Sequence, residues 1–385
     1  MPTAPPSPAA AVVPGDPNAS SVRAQVDADA ASLRPFFAPA SVAVVGASRE
    51  SGTVGHQLVR SLVAAGFTGR LYAVNPRAAA AGESIAGVAA YADVDALPEA
   101  PTLAVIVRPA EAVQAAIDAC ARRAVPAVVV ISAGFAEHDA AGAARQAALL
   151  ATVRGHGMRM VGPNCLGVVS TDPAVRLNAT FAPLYPAAGR VAMASESGAL
   201  GLAVLALAEE RGLGLSAFVS LGNRADVSSN DLVAYWGDDP RTRVILLYLE
   251  SFGNARHFAR LARAVGRRKP IVALKSGRTQ AGQRASASHT AALAANDVGI
   301  DALFHQTGVL RAGTLDELFH LATLLDHQPL PPGPRVGIVT NAGGPGILCA
   351  DACQAAGLVV PTLSDATRAA LAARLPAHAA TGNPV

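Results

Sequence analysis

Along this chain, short continuous apolar runs alternate with longer alanine-rich stretches. The first runs are "SVAVVG" (41–46), "RLYAVN" (70–75), "LAVIVR" (103–108), "AVVVIS" (127–132) and "MRMVGP" (158–163). They are short, rich in β-branched residues and apolar throughout, which is the pattern of parallel strands covered on both faces. Between them lie helical patterns such as "GHQLVRSLVAAG" and "AEAVQAAIDACARRA". Strand–helix alternation predicts a doubly wound, Rossmann-like α/β domain over about 37–165. The stretch "RLNATFAPLYPAAG" has the composition of an irregular linker, assigned to 166–186. A second series follows, "RVAMAS" (190–195), "LSAFVSLG" (215–222), "VILLYLE" (244–250) and "PIVALKSG" (270–277). It predicts a second parallel α/β domain over about 187–328. The proline-rich "HQPLPPGP" (327–334) is a joint. Beyond it, 329–385 reads as the start of a third βα domain, incomplete because the chain stops at "ATGNPV" directly after a helical pattern. Residues 1–36 read as a Pro/Ala/Ser-rich disordered tail running into a short helix near 21–33.

Composition narrows the class. The chain of 385 residues is 51% hydrophobic and 15% charged, so large cores are available, and alanine supplies much of that count. The apolar runs are broken well short of the ~20 residues of a spanning helix, so no membrane partner is expected. A net charge of +3 is too mild to argue for nucleic acid. Cys120, Cys165, Cys349 and Cys353 fit no common zinc spacing, no metal site is expected, and the start of the chain has no signal-peptide pattern. A cytoplasmic protein with reduced thiols is the expectation.

Candidate chemistry sits at strand ends. The first strand runs into "GASRESGTVG", where Gly46, Gly52 and Gly55 permit close backbone approach before a helix start that can hold a phosphate. The spacing is not G-x-G-x-x-G, and a purely structural turn is the alternative. An NAD site wants an acid at the end of the next strand; here "VNPR" offers Asn75, Pro76 and Arg77. That favours a nucleotide with an extra ribose phosphate, either NADP or CoA. In "VGPNCLG", Asn164 and Cys165 lie just past a strand end, with Cys165 either a nucleophile or a small residue lining a thiol channel. "ASESGALG" puts Ser195, Ser197 and Gly198 at a strand–helix turn, as a phosphate cradle or as an ordinary N-cap. Glu250 closes an apolar strand where a carboxylate can meet a ligand or hold an imidazole in one tautomer. His289, in "SASHTAAL", lies between a Gly-rich basic loop and a helical pattern, where an anion on the ring would be stabilised.

In order, "SVAVVGAS", "VNP", "ISAGFAE", "GPNCLG", "SESGALG", "SLGNRADVSSNDL", "YLESFGN", "KSGR" and "SHTAAL", followed by "TNAGGPG", resemble the NDP-forming acyl-CoA synthetases, the superfamily of the succinyl-CoA synthetase α subunit. The resemblance covers about 37–385. "DDPRTRVILLYLESFGNARHFARLAR" is most similar to the branch fused to a GNAT-type lysine acetyltransferase domain, which implies such a domain as a partner. The resemblance implies a Rossmann-like CoA-binding domain followed by flavodoxin-like domains. It implies a phosphohistidine at His289 steadied by Glu250, and a phosphate-holding helix start at Ser195–Gly198. CoA or acetyl-CoA would bind on the Gly46–Ala47–Ser48 turn with Asn75 and Pro76. The implied reaction joins a small carboxylic acid to CoA with ATP, through phosphohistidine and an acyl phosphate. No ATP-grasp module is recognisable, so ATP and Mg would enter only through an ATP-grasp partner, either a β-like subunit of an oligomer or a C-terminal half. Two residues depart from the family pattern. Glu196 stands where relatives usually carry Gln and would repel an anion unless it points away, and Ala291 follows Thr290 where many ligases carry Gly. The competing reading is an acyl-CoA-sensing regulatory module of a lysine acetyltransferase, without turnover. NADP-dependent reduction would leave "SHTAAL" unexplained.

Overall fold

The computed structural model describes residues 31–279, 282 and 297–385. The chain divides into two compact units, Met1–His327 and Gln328–Val385. In the first unit, β1 (Ser41–Val45), β2 (Arg70–Val74), β3 (Ser84–Ile85), β4 (Val88–Tyr91), β5 (Leu103–Ile106), β6 (Ala127–Val130) and β7 (Arg159–Val161) form one sheet. Its order is β3-β4-β2-β1-β5-β6-β7, parallel throughout except for the β3–β4 pair. Every residue of β1, β5 and β6 is buried, which is why these strands read as continuous apolar runs. Helices Val54–Ala65, Ala110–Arg122 and Ala140–Gly155 provide crossovers. The first is stopped by Gly66 at φ 72°, a left-handed C-cap.

The second sheet contains β8 (Gly167–Ser170), β9 (Leu177–Thr180), β10 (Ala188–Ser195), β11 (Leu215–Ser220), β12 (Val244–Leu249), β13 (Ile271–Lys275) and β14 (Leu310–Ala312). Its order is β14-β13-β12-β10-β11-β8-β9. Strands β10 to β14 are parallel, whereas β8 runs antiparallel to both β11 and β9. The stretch expected to be an irregular linker therefore supplies two strands. All four residues of β9 are buried, and the Asn178 side chain closes the following turn by donating to Leu184 O at 3.1 Å. Four-residue strands beside prolines are too short to show a period, so composition concealed them. The same segment ties the two sheets together. Arg176 Nε donates to Ala65 O at 2.8 Å, and Ser61 Oγ to Ala182 O at 3.3 Å. A half-buried ion network adds to this joint, with Arg159 donating to Asp226 and Asp231, both at 2.9 Å.

The expected lead-in helix is helical over 31–37 and runs past Pro35; the rest of that expectation lies outside the described residues. Phe36 and Phe37 are buried, and Phe37 stacks on Tyr235 with ring centroids 4.6 Å apart. In the second unit, helices Gly343–Ala355 and Asp365–Ala372 form as the pattern suggests. The expected strand before them is reduced to an isolated bridge, Arg335 to Val359. Among the described residues no helix is long and apolar enough to cross a membrane.

Candidate functional site

Parallel sheets expose a crevice where the chain moves from a central strand first to one side and then to the other. The first sheet has this switch between β1 and β5, because β1 is followed by β2 on its other edge. Gly46 leaves β1 at φ 97°, and a Cβ there would stand 2.1 Å from Val107 O. A Cβ on Gly55 would stand 2.2 Å from Gly46 O. Only glycine lets this turn lie so close to both the neighbouring strand end and the following helix. Asn75 braces the turn from β2, with Nδ2 donating to Ala47 O at 2.7 Å and its Oδ1 accepting from Ala78 N at 3.0 Å. Arg108 follows β5. Its backbone is pinned by Ser132, whose Oγ accepts from Arg108 N at 3.1 Å and donates to Arg108 O at 2.6 Å, while the side chain stays exposed.

The second sheet has its switch between β10 and β12. Ser195 ends β10 fully buried. Its hydroxyl donates to Ser197 O at 2.7 Å and accepts from Ser197 N at 3.2 Å, so it stiffens the turn. Ser197 caps the helix Gly198–Glu210 by accepting from Leu200 N at 3.4 Å. The N–H groups that open this helix have no intrahelical carbonyl to bond. Glu196, between the two serines, lines the cavity beside the helix start, and its carboxylate is held by three donors. Its carboxylate accepts from Arg224 Nη1 at 2.7 Å, from Glu250 N at 2.7 Å and from Ser251 N at 3.0 Å. Burial pushes this carboxyl up to about 7, against the opposing pull of Arg224 and the two amides.

Both switch points open on one cavity of about 920 Å³. Of the residues expected from the sequence, Gly46, Ser48, Gly55, Asn164, Cys165, Ser197, Gly198 and Glu250 line it. Ala47, Gly52, Asn75, Pro76, Arg77 and Ser195 are not in its wall. Asn75 and Ser195 act one layer behind it, as the bonds above describe. Arg77 is exposed on the short helix Pro76–Ala80, and the cation that the first sheet brings to the cavity is instead Arg108. Strand order decides this, because β5 and not β2 flanks β1 on the open side of the switch. Arg224, Arg108 and Glu137 are lining residues that sequence reasoning did not single out. Arg224 lay inside a quoted motif, but its φ of 53° and its reach to Glu196 have no local signature. His289 lies outside the described residues.

Cys165 resolves towards the lining role. It is 4% exposed, its Sγ donates to Val130 O at 3.3 Å, and burial pushes its thiol up to about 12. A thiol held neutral is a poor nucleophile. In native protein at pH 8, iodoacetamide is expected to label the exposed Cys349 and to spare Cys165, as read by peptide mass mapping. Rapid native-state alkylation of Cys165 is the contrary result. Among the described residues no cluster of His, Cys, Asp and Glu could hold a metal ion.

Residues 40–171 match the family described as CoA binding domain, and residues 188–325 match the succinyl-CoA ligase like flavodoxin domain. The chain is 41% identical over 353 residues to acetate–CoA ligase [ADP-forming] I of Archaeoglobus fulgidus, covering 92% of this chain and 50% of that protein. It is 41% identical over 327 residues to the α subunit of acetate–CoA ligase [ADP-forming] I of Pyrococcus furiosus, covering 85% of this chain and 70% of that subunit. The fold matches the dinucleotide-forming acetyl-coenzyme A synthetase 1 of Ca. Korarchaeum cryptofilum, in complex with phosphate and ADP. The TM-score is 0.86 at 36% identity, over 92% of this chain and 75% of that one. The chain thus spans half the length of the first relative and somewhat more of the separate subunit. These names speak of ligation and carry nothing about an acetyltransferase. At this identity and coverage the chain belongs to the ADP-forming acetate–CoA ligase family, over the part that its split members carry as the α subunit.

Proposed function

We propose that the chain is the CoA-binding, phosphoryl-carrying part of an ADP-forming acyl-CoA ligase acting on a small carboxylic acid such as acetate. The observation that carries the reading is the single cavity shared by the two switch points. A glycine turn suited to a nucleotide's phosphates faces an anion-suited helix start and a strand-end carboxylate across it. An ATP-grasp partner would move the terminal phosphoryl group of ATP to a ring nitrogen of His289, releasing ADP. A carboxylate oxygen of the acid then takes the phosphoryl group, giving an acyl phosphate and free imidazole. The CoA thiolate attacks the acyl carbon, the C–O bond to phosphate breaks, and acyl-CoA and phosphate leave. The segment that carries His289 follows β13, whose Lys275 pairs with Leu249, the residue before Glu250. That adjacency supports Glu250 as the partner of the imidazole. The partner subunit supplies ATP and Mg.

The sensor reading has two grounds, the similarity to the acetyltransferase-fused branch and Glu196, since a carboxylate facing the helix start would repel phosphate. The Glu196 side chain is bonded to Arg224 and two amides, which offsets its charge and weakens the second ground.

With an ATP-grasp subunit, ATP, CoA and acetate, the chain is expected to give acetyl-CoA and ADP in equal amounts. Calorimetry on the chain alone is expected to detect CoA and not NAD. Tight NAD binding without CoA binding is the opposite outcome and rejects the reading. Arg108→Met is expected to weaken CoA binding by about 1.5–3 kcal/mol, the scale of a charge-assisted hydrogen bond. Arg77→Met is expected to change it by less than about 0.5 kcal/mol, as for a surface substitution.

A further inference from the structure

We infer that Glu196 and Arg224 form a positioning clamp that fixes the backbone presenting Glu250 to the cavity. The inference rests on the proposed reaction, in which Glu250 steadies His289. Glu196 N donates to Tyr248 O at 3.2 Å, which continues the β10–β12 ladder beyond the strand. From that anchored point its Oε2 accepts both Glu250 N at 2.7 Å and Ser251 N at 3.0 Å. Arg224 holds Ser251 directly and Glu250 only through Glu196. Its Nη1 donates to Ser251 O at 3.0 Å and its Nη2 to Ser251 Oγ at 2.7 Å, and Nη1 also donates to Glu196 Oε1 at 2.7 Å. Both side chains are shielded, with the Glu196 side chain 2% exposed and that of Arg224 17%.

The loop that delivers Arg224 is itself anchored to the first domain's last turn. Asn223 N donates to Pro163 O at 2.9 Å, and Ala225 N to Gly162 O at 3.1 Å. Residue 165, two positions on, lines the cavity, so one bonded chain runs from its wall to the Glu250 backbone.

In this chain three donors converge on the Glu196 carboxylate, so the Gln usual in relatives would need a different set of partners here. An amide has one accepting oxygen and one donating nitrogen. Glu196→Gln therefore turns an N–H toward either Arg224 or the Glu250 and Ser251 amides, and one set of contacts is lost. A buried ion pair adds little net stability compared with apolar residues, so stability alone does not account for this one. Positioning does, because displacing a reacting group by ~1 Å can slow a reaction ~10²-fold.

The test reads the rate of phosphoryl loading on His289 from ATP, with the ATP-grasp partner at pH 8, together with CoA affinity. Glu196→Gln is expected to slow loading by about 10–10²-fold and to leave CoA affinity unchanged. In the Glu250→Gln background the same substitution is expected to add less than about twofold, because the pair acts through Glu250. Arg224→Lys, which keeps the charge but loses the fork to Ser251, is expected to fall between wild type and Glu196→Gln. Ser251→Ala removes only the Oγ bond and should slow loading in the same direction, and it serves if Glu196→Gln does not fold. Equal slowing in both backgrounds, or no slowing by any of these variants, overturns the clamp while the ligase reading stands. A wild-type chain that takes no phosphate overturns the ligase reading, and the clamp with it.

Discussion

Gly46→Ala is expected to destabilise the first unit by more than about 3 kcal/mol and to abolish measurable CoA binding. Two effects add. The backbone at φ 97° disfavours any side chain, and the new methyl would stand 2.1 Å from Val107 O, a backbone atom at the end of the adjacent strand region. Neither strand can retreat, because β1 pairs with β2 along its whole length and with β5 over Val42–Val45 inside a buried sheet. Gly52 provides the control. It has a similar φ of 92°, but a Cβ there meets nothing within 4 Å. Gly52→Ala should therefore lose only about 1–2 kcal/mol through backbone strain. Thermal unfolding and calorimetry with CoA measure both variants. Equal stability of the two would show that the close approach at Gly46 does not matter. Gly55→Ala should resemble Gly46→Ala, since its methyl would meet Gly46 O at 2.2 Å.

His289→Asn is expected to remove phosphate labelling entirely while leaving CoA affinity nearly unchanged. A phosphohistidine is acid-labile and base-stable, so labelling with γ-labelled ATP and the ATP-grasp partner, followed by acid and base treatment, identifies it. Asparagine has no nitrogen nucleophilic enough to take the group, so no residual labelling is expected. The glycine turn that favours CoA lies on the other sheet, at Gly46 and Gly55, and should be untouched. Glu250→Gln keeps an acceptor but loses the charge, and is expected to slow transfer by about 10²–10⁴-fold. An unlabelled wild type that still binds acetyl-CoA would return the reading to a sensor.

The sequence by itself determined the central strands of both sheets, β1, β2, β5 to β7 and β10 to β13, because strands buried in a parallel sheet are apolar along most of their length; the short, partly exposed parallel strands β4 and β14 were not legible in it. It also determined the strand-end motifs, since a glycine turn or a serine-started helix depends on a few adjacent residues. The resemblance carried the family, which the relatives bear out. Strand order was not legible, and it decided most of the rest. Arg77 and Arg108 both follow strands beside β1, and only the topology puts Arg108 at the open crevice. The stretch around β9 looked irregular because four residues are too few to show a period; the strand pairs with nearby β8, and the preceding Arg176 is tied to Ala65 far back in the chain. Glu196 looked like an anion-repelling carboxylate because its rotation toward Arg224, Glu250 and Ser251 depends on contacts 28, 54 and 55 residues distant. Cys165 had two readings in the sequence, nucleophile or lining residue, and burial beside Val130, which keeps its thiol neutral, favours the second. Local chemistry named the candidates, and long-range packing chose which of them face the cavity and which hold the others in place.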